Sequence, residues 1–367
     1  EVYDNYEVFY VPYKSNANGR LFWKYGDNKY KYFRKCLTFM EMILQNYWNR
    51  IIPFSNIYYF SRDLLKKNKD ITKMIITANP YVMFKFGYLL KKEFGLKWIA
   101  DYRDDWTTDE IKSYKGFFAK IIYIFDKRSE LKWVGSADHV TTVSDNYLSK
   151  IRKLLKNKNG SVIYNGFWEK ENGYGNSDGS EKEFRITFNG TLYDTQPIEI
   201  FLEGIKKLIL AFKEEVFIRL YFPGLAYDRS QAERVIEMMG KFGEHVMITE
   251  RISRNEVLGI QAKSQLLLMI AHTNIRGVPS SKLFEYIGLR KPILVCPGDN
   301  DIIDRLVSET GLGIICNSSE EVFNKLKSCV REYLKSGKIG MEPDEEAIAV
   351  YSRAEQVKQL SLVLDKL

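Results

Sequence analysis

Short apolar runs alternate with longer helix-like segments along this chain of 367 residues. The runs have the composition of buried strands, which we predict at 7–12, 57–60, 74–78, 97–102, 139–143, 161–164, 185–189, 217–222, 246–249, 265–270, 292–296 and 313–316. Strands that alternate with helices favour parallel sheets covered by helices. The chain is also long for one hydrophobic core, so we expect two α/β domains.

A polar segment separates the two series of strands. Residues 169–184 are rich in Gly, Asn, Ser and charged side chains and are read as the linker. The predicted domains are therefore 1–168 and 185–350, followed by a plausible amphipathic helix at 351–367. Open parallel sheets bind ligands beyond the carboxyl ends of their strands, so functional residues are expected in the loops after the strands.

The composition limits the classes of protein that fit. Hydrophobic residues make up 45% and charged residues 28% of the chain, as in soluble globular proteins. No apolar run approaches the roughly 20 residues of a membrane-spanning helix, and no signal peptide is visible. The four cysteines lack metal-site spacing and are read as thiols of a reducing cytoplasm. Because residue 1 is Glu, we expect the chain to be part of a longer protein.

Charge is divided unevenly between the two halves. Residues 1–165 contain 29 Lys and Arg against 17 Asp and Glu, whereas residues 166–367 contain 26 against 30. The first half also mixes aromatic and basic residues in the segments 22–39 and 114–133. These segments suit contact with an anionic membrane or stacking on sugar rings, and they equally fit amphipathic helices packed on a sheet. Nucleic acid is the weaker alternative, because no nucleic-acid-binding motif is present.

The most informative motif in the second half is PSSKLFEYIGLRKPILV, residues 279–295. Ser280 or Ser281 is suited to cap the start of a short helix. Lys282 and Glu285, three residues apart, share one face near that end. The positive end of a helix together with a lysine suits a phosphate, and a carboxylate suits a ribose diol. The alternative is an ordinary helix with a Lys–Glu surface pair.

In the first half, WIADYRDDW (98–106) brings an apolar strand directly into a cluster of charged residues. Arg103 can bind phosphate, and Asp104 can orient or deprotonate a hydroxyl group. The alternative is an internal ion pair that braces the loop. The spelling Asp299-Asn300-Asp301 is similar to a metal-binding D-x-D motif, but it follows a Pro-Gly turn and is read as a solvated loop, so no metal is expected.

These two motifs resemble those of bacterial family-4 glycosyltransferases of the GT-B fold, and the resemblance extends from about residue 74 onward. It implies two doubly wound, Rossmann-like α/β domains that face a cleft, with a last helix that returns to the first domain. It further implies a retaining, metal-independent transfer of sugar from a nucleotide-diphosphate sugar, without a cofactor. The expected acceptor is a glycan or lipid-linked glycan of polysaccharide or lipopolysaccharide assembly, at the cytoplasmic side of the membrane.

The resemblance also implies roles for individual residues. It makes Asp104, Arg103 and Lys282 the catalytic group. The donor site would contain Glu285, Lys282, Ser280, Ser281, Gly190, Thr191, Glu250 and Arg251, and the acceptor side would contain Asn79, Asp101 and Trp106.

The chain departs from the family pattern in three places. Gly277 stands where many members have a second Glu, Thr191 and Thr195-Gln196 stand where many have phosphate-binding cations, and the opening strand with its Gly-rich loop is not found. Two other functions therefore stay open. One is a non-catalytic subunit that binds a sugar nucleotide or serves in assembly, and the other is a sugar-nucleotide epimerase on the same fold.

Overall fold

The computed structural model describes residues 5–110, 116–169 and 183–367. The chain forms two compact units, one of Glu1–Ile163 with Ser361–Leu367 and one of Tyr164–Leu360. The predicted linker lies almost entirely outside the described residues, at 170–182.

The first unit contains a parallel sheet of four strands in the order β1-β2-β3-β4. These strands are β1 (Lys73–Ala78), β2 (Lys97–Tyr102), β3 (His139–Thr142) and β4 (Gly160–Val162). The helices are α1 (Ala17–Tyr25), α2 (Lys31–Leu44), α3 (Ser55–Lys67), α4 (Met83–Phe94), α5 (Phe117–Trp133) and α6 (Asp145–Leu154). Strand β2 is buried at every position after Lys97, as the apolar residues 98–100 predict, and the burial includes Asp101.

Two of the predicted strands are wrong. Residues 57–60 lie inside α3, and residues 7–12 contain only an isolated bridge position at residue 7. The sequence IYYF at 57–60 is rich in strand-forming side chains. Nevertheless it belongs to a helix, since Tyr58 and Leu65 on one face are buried. A short apolar run alone does not distinguish a strand from the buried face of a helix.

The second unit contains a parallel sheet of six strands in the order β10-β9-β8-β5-β6-β7. These strands are β5 (Glu183–Thr187), β6 (Phe217–Phe222), β7 (Val246–Ile248), β8 (Leu266–Met269), β9 (Ile293–Val295) and β10 (Gly313–Ile315). The helices are α7 (Ile198–Phe212), α8 (Arg229–Met239), α9 (Arg254–Lys263), α10 (Ser281–Gly288), α11 (Ile302–Glu309), α12 (Ser319–Ser336) and α13 (Glu345–Val350). The last helix, α14 (Arg353–Asp365), begins in this unit, and its residues from Ser361 onward belong to the first unit. Strand β5 pairs with β6 on one side and β8 on the other, so the winding direction reverses there.

Each unit has its own hydrophobic core. In the first unit the core is rich in aromatic residues and includes Trp98 and Tyr102, which are fully buried. In the second unit, alternate residues of β8 enter two different clusters, Leu266 and Leu268 in one and Leu267 and Met269 in the other. Both faces of this sheet are therefore covered, as in a doubly wound domain.

Candidate functional site

The carboxyl edge of the second sheet holds most of the residues predicted to bind a donor. The loops after β5, β6 and β7 enclose a cavity of about 180 Å³. Its walls are Asn189, Gly190, Thr191, Pro223, Gly224, Leu225, Tyr227, Asp228, Arg251, Ile252 and Val257. One of its walls follows β5, the strand at which the winding of the sheet reverses, and open α/β sheets bind ligands next to such a point.

Lys282 places a cation beside this cavity. The residue lies in the first turn of α10, and its Nζ atom donates a hydrogen bond to the carbonyl oxygen of Thr191 at 3.1 Å. The same atom is 4.2 Å from the ring centroid of Phe188. Burial lowers the pKa of Lys282 to about 8, although the Glu285 carboxylate acts in the opposite direction. The ammonium group of Lys282 is thus half-buried against a carbonyl oxygen and an aromatic ring, and its charge is well placed to bind an anion.

Gly190 lets the lysine approach this loop closely. Its φ angle is +83°, and a Cβ atom there would be 3.2 Å from Cε of Lys282. A residue with a side chain would thus meet both an unfavourable backbone conformation and the lysine stem. Beside it, the backbone N–H of Asn189 donates to the hydroxyl oxygen of the buried Tyr286 at 3.2 Å. The loop after β5 and helix α10 are therefore held together as one wall.

Glu285 is paired with a residue that the sequence did not single out. Its Oε1 atom accepts a hydrogen bond from Nη1 of Arg254 at 2.8 Å, with the side chains 20% and 55% exposed, respectively. Arg254 is the first residue of α9, directly after Ser253, which forms a capping box with Glu256. That capping signature, close to the predicted Glu250 and Arg251, was the only sequence signal that could have placed Arg254 at this edge.

The two predicted serines occupy the start of α10. Ser280 is at the N-cap position, but its side chain accepts no capping hydrogen bond within the described part of the chain. Ser281 is exposed in the first turn. The predicted position of the cap is thus correct, while the N–H groups at the start of the helix are not engaged by the Ser280 side chain.

Of the two residues predicted in the loop after β7, Arg251 lines the cavity and Glu250 lies at the surface. The guanidinium carbon of Arg251 lies 3.5 Å from the centroid of the Tyr227 ring, so the two groups stack at the cavity wall. Glu250 is exposed and is not part of that wall. Tyr227 was not predicted, and a single tyrosine after the Pro-Gly turn gave no pattern that could have indicated it.

His272, which follows β8, is also close to Lys282. Its Nδ1 atom is 2.7 Å from Oγ1 of Thr195, and burial together with the Lys282 charge lowers the pKa of the ring. Gln196 is turned inward, since its amide donates to the carbonyl of Ile270 at 2.6 Å. The positions at which the resembled family often has cations are therefore occupied here by groups engaged in internal hydrogen bonds.

In the first unit, Asp101 connects the ends of three strands. Its carboxylate accepts hydrogen bonds from Oγ1 of Thr77 (3.0 Å), Oγ1 of Thr141 (2.7 Å) and Nε of Arg103 (2.9 Å). The Arg103 guanidinium also donates to the carbonyl oxygen of Ile163 at 3.2 Å. Asp101 is buried and its carboxylate accepts three hydrogen bonds, an arrangement that fits the bracing alternative better than the predicted contact with an acceptor. The bracing alternative holds for the pair of Asp101 and Arg103.

Trp106 is buried in a stack of aromatic side chains. It is 4% exposed and stacks on Tyr81 with ring centroids 5.1 Å apart and on Trp133 at 5.9 Å. The Tyr81 hydroxyl donates to the backbone carbonyl of Asp105 at 2.6 Å. The aromatic stack fixes the loop that carries the acidic residues, and the prediction that Trp106 faces an acceptor has no support in this arrangement.

Asp104 and Asp105 differ although they are adjacent. Asp104 is exposed, like Asn79 after β1, and partial desolvation of its carboxyl group together with the Asp109 charge raises its pKa. Asp105 is 3% exposed, and neither of its carboxylate oxygens has a hydrogen bond within the described residues. Burial raises the pKa of Asp105 to about 7, against the charge of Lys150, whose Nζ lies 3.7 Å from Oδ2. Asp104 alone is available to a ligand.

Asp299 holds a turn. Its carboxylate accepts backbone hydrogen bonds from Asp301 (3.0 Å), Ile303 (3.1 Å) and Asp304 (3.2 Å). Within the described ranges, no cluster of three or more His, Cys, Asp or Glu side chains is arranged to hold a metal ion. Among the same residues, no helix is long and apolar enough to cross a membrane.

Comparison with known proteins shows the fold. No family model and no curated protein matches the chain. The crystal structure of Anabaena HepE in complex with UDP and glucose is similar over 84% of this chain and 81% of that one, with 14% identity and a TM-score of 0.61. Sucrose-phosphate synthase from Thermosynechococcus elongatus is similar over 88% and 79%, with 13% identity and a TM-score of 0.63.

A third similar structure is a trehalose-6-phosphate synthase, analysed with bisubstrate glycomimetics for glycosyltransfer with retention. It matches over 89% of this chain and 86% of its own, with 13% identity and a TM-score of 0.58. Together with the two parallel-sheet units, these likenesses show that the chain has the GT-B fold, built from two Rossmann-like domains.

Proposed function

We propose that this protein is a glycosyltransferase that moves a sugar from a nucleotide-diphosphate sugar to a glycan or lipid-linked glycan, with retention and without a metal ion. The observation that carries the proposal is the Lys282 ammonium group, held beside the Gly190 loop where the winding of the second sheet reverses. The fold supports it, since GT-B structures similar to this chain include one that contains UDP and glucose. Polysaccharide or lipopolysaccharide assembly would be the setting.

In this proposal the residues of the cavity and those beside it each bind one part of the donor. Lys282 and the start of α10 take the diphosphate, whose negative charge grows as the bond to the sugar breaks. The stacked pair of Arg251 and Tyr227 offers a flat surface for the base. Glu285, oriented by Arg254, binds the ribose hydroxyls. Asp104 is the exposed carboxylate for the acceptor hydroxyl, while Arg103, held by Asp101, positions that loop.

The direct test is calorimetric titration with UDP, UDP-glucose and the corresponding guanine and adenine nucleotides. We expect at least one nucleoside diphosphate to bind, and Lys282→Met to weaken its binding roughly tenfold to a hundredfold, because a charge-assisted hydrogen bond is lost. The Met variant should fold at least as stably as the original, since an incompletely compensated buried charge is removed. If the variant binds every nucleotide unchanged, Lys282 has no role in the donor site.

The pH dependence of binding gives a second prediction. The pKa of Lys282 is about 8, so the group is charged below that pH and becomes neutral above it. Affinity for a nucleoside diphosphate should therefore decline as the pH rises from about 8, and the decline should be absent in Lys282→Met. A parallel decline in both proteins would assign the effect to another group.

One observation favours a second function, that of a non-catalytic sugar-nucleotide-binding subunit. Gly277 has a φ angle of +73°, a conformation that disfavours Glu, and it stands where many members of the resembled family have a second Glu. Donor binding without transfer to a broad panel of glycan acceptors would favour this function. Analysis of the incubated sugar nucleotide by NMR would reveal an epimerase.

A further inference from the structure

Helices α1 and α2 and the first turns of α5 expose an unusual number of large apolar side chains. The exposed fractions are 39% for Phe22, 76% for Trp23, 82% for Tyr32, 61% for Phe33, 53% for Met40, 73% for Phe117 and 64% for Phe118. Tyr32, Cys36 and Met40 follow one another at helical spacing and form a ridge along α2. Apolar exposure of this extent on one set of neighbouring helices marks an interaction surface.

These helices form one continuous surface. The guanidinium carbon of Arg34 lies 4.8 Å from the centroid of the Phe22 ring, which joins α2 to α1. The rings of Phe39 and Phe118 are 5.1 Å apart and join α2 to α5. At the other end of α2, Nζ of the buried Lys85 donates to the carbonyl oxygen of Gln45 at 2.6 Å and anchors the helix to α4. The exposed rings thus stand on a fixed support.

The charges on these helices and on the turn that joins α1 to α2 are sorted by sign. Three of the four acidic side chains are buried, and these are Glu41, Asp126 and Glu130. Glu41 accepts hydrogen bonds from the backbone N–H groups of Ala17 and Asn18, and the exposed Asp27 forms an ion pair with Arg34 at 3.2 Å. The basic side chains point to solvent, and they are Arg20, Lys24, Lys29, Lys31, Lys35, Lys120, Lys127, Arg128 and Lys132. The surface therefore presents cations and rings together.

We propose that this surface, the docking face, binds an anionic lipid bilayer, with the rings in the headgroup layer and the lysines on lipid phosphates. Aromatic side chains favour the membrane interface, and neighbouring cations add attraction to anionic lipid. A ridge along α2 is suited to a planar surface, whereas single-stranded nucleic acid is bound in grooves that track its backbone. The docking face lies wholly in the first unit, so this inference is independent of the donor site in the second.

The chain carries its own reporter for this proposal. Cys36 is exposed on the α2 ridge, while Cys296, Cys316 and Cys329 are buried in the second unit. A polarity-sensitive fluorophore attached to Cys36 should shift to shorter wavelength with vesicles that contain phosphatidylglycerol and phosphatidylcholine. It should shift far less with phosphatidylcholine alone. No shift with the anionic vesicles would overturn the proposal.

Flotation of the unlabelled protein with the same vesicles tests the residues involved. The triple variant Lys24→Glu, Lys31→Glu, Lys35→Glu should lose partitioning by roughly fivefold for each lysine and on the order of a hundredfold together. The matched control is the variant Lys263→Glu, Lys335→Glu, Lys338→Glu, which changes the same charge on exposed residues of the second unit and should float nearly as the original does. Equal losses in both variants would reduce the effect to net charge and refute the docking face.

The aromatic part is tested by Trp23→Ala against Trp168→Ala, another exposed tryptophan, 58% accessible, in the second unit. Only the first is expected to weaken flotation. Urea unfolding followed by the fluorescence of the buried Trp98, Trp106 and Trp133 shows that the first unit of each variant is folded. The protein could instead bind a glycan or a nucleic acid, with that binding lost in the Lys24→Glu, Lys31→Glu, Lys35→Glu variant. This result would assign the surface to that partner and overturn the membrane proposal.

Discussion

At the scale of single residues, one of two adjacent residues can be buried and the other exposed, and the sequence alone does not distinguish them. Lys282 and Glu285 could be placed on one helix face from their spacing, and the structure has them there. The partner of Glu285 could not be predicted, because Arg254 is 31 residues away and meets it only through the fold. Likewise Asp104 and Asp105 read alike in RDDW, yet Asp104 is exposed whereas Asp105 is 3% exposed and its backbone carbonyl accepts a hydrogen bond from Tyr81.

The burial of Asp105 leads to a prediction about stability. Its pKa is about 7 in the folded protein, above the usual value for Asp, so the folded state holds the proton between about pH 4 and pH 7 while the unfolded state releases it. The free energy of unfolding should therefore fall as the pH rises through that range. Asp105→Asn should remove this contribution and stabilise the protein by about 2–4 kcal/mol above pH 7.

Urea denaturation at pH 5 and at pH 8 would measure this, with Asp104→Asn as the exposed control. The control should change the free energy of unfolding much less, because its carboxyl group is exposed. A destabilised Asp105→Asn at pH 8 would mean that the ion pair with Lys150 outweighs the cost of burial.

At the scale of elements, strands were predictable where an apolar run ended in a polar loop. The predictions at 97–102 and 217–222 coincide with β2 and β6, and the other strands of the two sheets were placed within about two residues. The errors at 7–12 and 57–60 are both in the first 60 residues, where aromatic side chains occur on exposed helix faces as well as buried ones. The aromatic content of such a segment therefore predicts neither a strand nor burial in the hydrophobic core.

The loop after β5 gives a prediction at this scale. Gly190 and Gly337 both have positive φ angles, +83° and +73°, so Ala at either position should destabilise the protein by about 1–2 kcal/mol. Only at position 190 does the new methyl group meet Lys282, whereas nothing lies within 4 Å at position 337. Gly190→Ala should therefore also weaken nucleotide binding, measured by calorimetry, and Gly337→Ala should not. Equal affinity in the two variants would show that the loop adapts without moving the lysine.

At the scale of the whole molecule, the uneven charge of the two halves corresponds to two units with different surfaces. The basic half contains the docking face, and the mildly acidic half contains the cavity beside Lys282. The parallel arrangement of the strands and the two-domain division follow from alternating patterns that a sequence displays directly. The order of strands does not, because it depends on which strand edges meet in space. The cavity after β5, β6 and β7, with Lys282 beside it, depends on that order.

The distribution of tryptophan and cysteine makes the two units separately observable. The buried tryptophans Trp98, Trp106 and Trp133 all belong to the first unit, and the buried thiols Cys296, Cys316 and Cys329 all belong to the second. Tryptophan fluorescence in urea therefore reports mainly the first unit, and the reactivity of the buried thiols reports the second. Because each unit has its own core, we expect the two probes to give separate transitions.

A nucleoside diphosphate should shift only one of these transitions. A ligand that binds the folded second unit at a hundred times its dissociation constant stabilises that unit by about 2.7 kcal/mol. The thiol transition should then move to higher urea concentration while the fluorescence transition stays in place, and Lys282→Met should abolish the shift. A shift confined to fluorescence would place the nucleotide in the first unit and contradict the donor site. Equal shifts of both probes would show that the two units unfold as one and that their cores are not independent.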